Sequence, residues 1–93
     1  MAAYVVVLGR VHDMERFQEY LASVGPTTEA FGGKLLSVAD PAEVLEGEAP
    51  YPRVVLIEFP SAEQARLWKK SPEYQAVAQH RLASSDNVFY LID

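Results

Sequence analysis

A chain of 93 residues, 49% hydrophobic and with no cysteine, suits one small domain without a disulfide, a thiol nucleophile or a thiolate metal site. The net charge of -5 comes without a basic stripe for nucleic acid or a basic amphipathic helix for a membrane surface. The opening run MAAYVVVLGRV is too short to span a bilayer and lacks a charged leader, so a cytoplasmic location is expected.

Tyr4 to Val11 is β-branched and apolar on both parities, the pattern of a strand covered on both faces. Asp13 then offers a helix N-cap. Phe17, Leu21, Val24, Thr28 and Phe31 follow at spacings of four and three, which is one helix face. Gly25-Pro26 interrupts that face and predicts a kink or a restart, because proline removes a helix hydrogen bond. Gly32-Gly33 predicts the helix end. Lys34 to Ala39 reads as a second strand. The segment 40–52, with three prolines and three glutamates, reads as an exposed connection. Arg53 to Phe59 is the third strand, stopped by Pro60. Ser61 and Gln64 have capping-box spacing, and Ala65, Leu67 and Trp68 give the next helix its apolar side. Ser71-Pro72 predicts a second cap and a last helical stretch to about Leu82. Ser84 to Asn87 reads as a polar loop before a final strand, Val88 to Ile92.

This order is βαββαβ, a ferredoxin-like α+β fold. Right-handed crossovers place the helices on one face of a four-stranded antiparallel sheet. The other face is then open. On the third strand Val55, Ile57 and Phe59 share one parity, and Val54, Leu56 and Glu58 share the other. The open face would present Val6, Leu8, Val54, Leu56, Tyr90 and Ile92. A second copy is the simplest cover at about 25 cal/mol per Å2 of apolar surface, and a two-fold homodimer is the simplest symmetry.

The strings FGGKLL, LEG and RVVLIEFPSAEQARLWKKSPEYQAVAQHR together resemble a family of short bacterial proteins catalogued as a domain of unknown function, family 1330. That family sits within the dimeric α/β-barrel superfamily, and the resemblance spans nearly the whole chain. It implies a ferredoxin-like domain whose dimer closes two sheets into a barrel. The wider superfamily is similar in fold to cofactor-free monooxygenases, muconolactone isomerases, and chlorite and haem enzymes.

Candidate site residues fall into three groups. His12, at a strand–helix junction, and Glu58, ending an apolar strand, are candidate proton-transfer groups. Arg10 shares the face of Glu58, on a neighbouring strand, and is expected to pair with it across the sheet. Phe17, Tyr20, Trp68 and Tyr74 are candidate pocket walls, with core packing as the ordinary alternative. Arg81, within the family-like string, and Arg53 are candidate holders of an anion. His80 reads as a surface or interface residue. Two histidines and no cysteine leave no transition-metal set, and no cofactor motif is present. The leading reading is a homodimer with a pocket for a small apolar or carbonyl-bearing ligand. One alternative is a cofactor-free monooxygenase or isomerase with His12 or Glu58 as base and Arg10 or Arg81 as the ligand-binding residue that steers an anion. The other is a non-catalytic assembly module.

Overall fold

The computed structural model describes residues 2–93, and its first apolar run forms β1, Ala3–Val11. α1 (Met14–Glu29) starts where Asp13 accepts a hydrogen bond from the Arg16 backbone N–H at 3.2 Å. β2 (Lys34–Ala39) and β3 (Arg53–Phe59) are joined by the proline-rich connection. α2 (Ala62–Lys70) and α3 (Pro72–Ser84) follow, each capped by a serine hydroxyl: Ser61 accepts from Gln64 N–H and Ser71 from Tyr74 N–H, both at 3.1 Å. β4 (Ser85–Ile92) completes the chain.

The sheet order is β2-β3-β1-β4, and every neighbouring pair is antiparallel. The fold is the ferredoxin-like α+β arrangement, with the helices on one face. Register divides the two parities as the sequence predicts. Val5 faces Ile57 and Val7 faces Val55 on the helix side, and Val6 faces Leu56 and Leu8 faces Val54 on the other. The core gathers on the helix side, where Val5, Phe59, Ala65, Trp68, Tyr74 and Ala78 are buried. On the opposite face Tyr90 and Ile92 are exposed, and Val6, Leu8, Val54 and Leu56 are half-buried.

Three expectations need correction. α1 continues through Gly25-Pro26 as one helix, which rules out the restart. The hydroxyls of Thr27 and Thr28 both donate to the Val24 carbonyl, at 2.7 and 3.2 Å, and Ala22, whose carbonyl loses its partner to Pro26, is exposed to solvent. The helix ends as predicted, with Gly32 in the left-handed region at φ 77°. Second, Ser84 to Asn87 is no loop. Ser84 is the last residue of α3 and β4 begins at once, Ser85 pairing with Val11. Buried serine hydroxyls there donate to the last carbonyls of α3, so polarity marks a tight junction rather than a solvated loop. Third, Arg10 and Glu58 do not pair. Glu58 lies opposite Tyr4, and Arg10 lies six residues further along β1, opposite Asp86. At about 3.3 Å per residue the two are roughly 20 Å apart along the sheet.

Candidate functional site

α2 lies over the centre of the sheet, whereas α1 leans on α3 and its backbone stands off the strands. The space beneath α1 is a cavity of about 500 Å3. Phe17, Leu21, Val24 and Thr28, the apolar stripe legible in the sequence, form its roof. Val55 and Ile57 of β3 form the floor, Leu35 and Val38 of β2 one side, and Trp68 part of the back wall. The 44% exposure of Leu21 is therefore partly exposure to the cavity.

Arg53, Arg81 and Asn87 collect at one end, while Glu29 and Lys34 line the other. Arg53 and Asn87 flank Gly9 in a single cross-strand row on the helix side of β3, β1 and β4. Gly9 has a steric reason to be glycine: a Cβ there would lie 2.3 Å from Asn87 Nδ2, so the carboxamide occupies the space a side chain would take. Arg81 reaches the same place from α3. Its Nη1 donates to Asn87 Oδ1 at 3.0 Å and its Nε donates to the Tyr74 hydroxyl at 3.2 Å. The Tyr74 and Tyr20 hydroxyls are 2.9 Å apart. Arg81 stacks over the Phe89 ring at 4.7 Å, and Lys69 lies 5.0 Å from the same ring. Burial, and then the Arg81 charge, lower the Lys69 ammonium from its ordinary value, so the field here is positive although the chain is acidic.

Burial and then Tyr74 push the Tyr20 phenol well above the usual phenol range, against the opposing charges of Arg81 and Arg53. Tyr20 is thus a hydrogen-bond donor at ordinary pH, not a base. The folded value lies above the unfolded one, so the folded state holds the proton more tightly. Its stabilising contribution is complete below pH 10.0, the ordinary phenol value, and is lost as pH rises beyond it. In a native-state absorbance titration, Tyr20→Phe is expected to leave the tyrosinate signal near pH 10 unchanged. Loss of one tyrosine's worth of signal would show that Tyr20 ionises in the folded protein.

Of the residues singled out in the sequence, Tyr20, Trp68 and Arg81 line the cavity, and Tyr74 supports Tyr20 and Arg81 from behind. Arg53 lines it too, with its guanidinium 5.1 Å from the Phe17 ring. The structure places the others elsewhere. His12 is exposed, and its backbone N–H donates to Ser84 O at 2.9 Å. Glu58 lies on the open face, where the Tyr4 hydroxyl donates to it at 3.3 Å. Arg10 donates to the Pro50 carbonyl of the connection. His80 accepts from Arg16 Nε at 3.1 Å on the surface. Gly9 and Asn87 escaped notice in the sequence. The available signal was strand parity: Asn87 shares the parity of Phe89, as Arg53 shares that of Val55. Among the described residues no group of three or more His, Cys, Asp or Glu side chains is placed to hold a metal ion. No described helix is long and apolar enough to cross a membrane.

A family model described as Domain of unknown function (DUF1330) matches residues 2–93. The chain belongs to that family. Among solved structures, it is similar to a protein of unknown function from Rhodopseudomonas palustris, with a TM-score of 0.82 and 21% identity over 98% of this chain and 80% of that one. A dimeric ferredoxin-like protein of unknown function from Jannaschia sp. CCS1 gives a TM-score of 0.75 and 17% identity, covering 100% of this chain and 99% of that one. SnoaB, a cofactor-independent oxygenase from Streptomyces nogalater, gives 0.68 and 15% identity, covering 99% and 91%. No curated protein matches the chain. At these identities the likeness establishes the fold, and activity does not follow from fold alone.

Proposed function

We propose that the protein is a homodimer joined through the open face of its sheet. Each subunit binds a small apolar or carbonyl-bearing molecule in the cavity beneath α1. The observation that carries this reading is the cavity itself. Its volume of about 500 Å3 lies in the range of small-ligand sites, and its apolar walls meet a few convergent polar groups at one end. A closed assembly module needs no such space. Proton transfer by His12 or Glu58 gains no support from the geometry, because neither side chain lines the cavity.

Trp68 is the sole tryptophan and lies in the wall, so its fluorescence reports entry. Titration with 1,4-naphthoquinone, coumarin or cinnamamide is expected to give saturable quenching, one site per subunit. Val24→Phe, which fills the cavity from the roof, is expected to abolish it. His12→Ala and Glu58→Gln are expected to leave it unchanged. Absence of saturation with all three probes, or equal binding by Val24→Phe, would overturn the reading.

A further inference from the structure

The polar end of the cavity presents hydrogen-bond donors, and its nearby acceptors are already engaged. We infer that it is a carboxylate subsite, and that the ligand is a small aromatic or unsaturated acid bound as its anion. This rests on the cavity being the ligand site.

Arg81 is 8% exposed, and it is not a member of any of the ion pairs among the described residues. Guanidinium does not discharge by losing a proton, so its charge stays in a mostly apolar surrounding without a counter-ion. Two of its five N–H groups go to Tyr74 and Asn87. Its Nη2 makes none of the side-chain hydrogen bonds among the described residues and is not a sealed, unpaired atom, and Arg81 lines the cavity.

The neighbouring groups complete the donor set. Asn87 Oδ1 already accepts from Arg81 and from the Ser85 hydroxyl at 2.8 Å, which turns the Nδ2 hydrogens toward the space over Gly9. Tyr74 is fully buried and accepts from Arg81, and it shares one hydrogen bond with the Tyr20 hydroxyl, in which either can donate. Arg53, on the other side of Gly9, is 3.8 Å from Asp40, a loose contact that leaves its donors unclaimed.

Glu29 lines the cavity at the far end, nine residues along α1 from Tyr20, a rise of about 14 Å. The guanidinium fork of Arg81 matches the two oxygens of a carboxylate, and the apolar roof and floor suit a planar hydrocarbon attached to it.

Cinnamate and cinnamamide differ in charge and little in shape. Calorimetry on the wild-type chain is expected to show cinnamate binding about tenfold more tightly or better, since a charge-assisted pair is worth on that order. Arg81→Gln and Arg53→Gln are each expected to cut that preference. Arg81→Lys, which keeps the charge but loses the fork, covers the case in which Arg81→Gln fails to fold, and is also expected to reduce it. Equal wild-type affinity for the two compounds would overturn the carboxylate subsite and leave the cavity as a ligand site. A preference untouched by the arginine variants would overturn the placement. No binding by either compound would overturn this inference, and the cavity reading falls with it when 1,4-naphthoquinone and coumarin also fail to bind.

Discussion

Trp68→Ala is expected to destabilise the domain by about 3–5 kcal/mol, the usual cost of truncating a fully buried large aromatic side chain. Trp68 is 1% exposed, with its ring 5.2 Å from Phe59 and 4.3 Å from Tyr74. It therefore joins the end of β3 to the two short helices. Its indole N–H donates to Thr27 Oγ1 at 3.3 Å, and Thr27 in turn donates to Val24 O, which ties α1 to the same cluster. The void left by alanine adjoins the cavity beneath α1, so few neighbours are placed to refill it. A domain of this size has a total stability of roughly 5–14 kcal/mol, so the loss is a large share. At about 4–8 °C per kcal/mol the expected fall in Tm is on the order of 12 °C or more. Trp68→Phe keeps most of the packing and leaves Thr27 its bond to Val24, so its cost is expected to be well under half. A calorimetric shift of less than about 3 °C for Trp68→Ala would show that this residue is not central to the core.

The fold was legible because its signals are local. A β-branched run apolar on both parities cannot be an amphipathic helix, and Ser61 and Ser71 each stand directly before a helical stretch, where a serine hydroxyl caps the N–H three residues on. Two local signals pointed the wrong way. Ser84 to Asn87 is polar because its side chains bind the end of α3 and Arg81, contacts that no periodicity displays. Gly25-Pro26 has the composition of a break, yet the Ala22 carbonyl that proline leaves without its N–H partner belongs to an exposed residue, and the helix continues. The site was less legible for a related reason. The stripe Phe17, Leu21, Val24, Thr28 has the same spacing whether a helix rests on its sheet or stands off it. That difference is set by how α1 meets α3, and it decides whether the stripe is core or cavity roof. Arg53 and Arg81 were visible as candidate anion holders, but Gly9 and Asn87 acquire meaning only once the register puts them in one row. His12 and Glu58 drew attention for their chemistry, and the topology puts both outside the cavity.

The second large effect is expected at the open face. Val6→Glu is expected to turn a dimer into a folded monomer. Val6 sits at the centre of that face, opposite Leu56 on one side and Tyr90 on the other. It is half-buried in the single chain, so a glutamate there keeps contact with water and the isolated domain stays intact. In a two-fold interface the same substitution enters twice, and each carboxylate is taken from water into an apolar layer with no cation beside it. Even after the carboxylates partly escape or protonate, a penalty of several kcal/mol remains, and each 1.4 kcal/mol is tenfold in dissociation constant. A dimer held at micromolar concentration would not survive it. Light scattering coupled to size exclusion is expected to give the dimer mass for the wild type and the monomer mass for Val6→Glu, with matching far-ultraviolet circular dichroism. Glu58 and Tyr4 already form a polar pair near one end of the face, so Glu58→Gln is the control that changes charge without entering the apolar centre. A wild type that runs as a monomer at micromolar concentration, or a Val6→Glu variant that remains a dimer, would remove the open face as the interface.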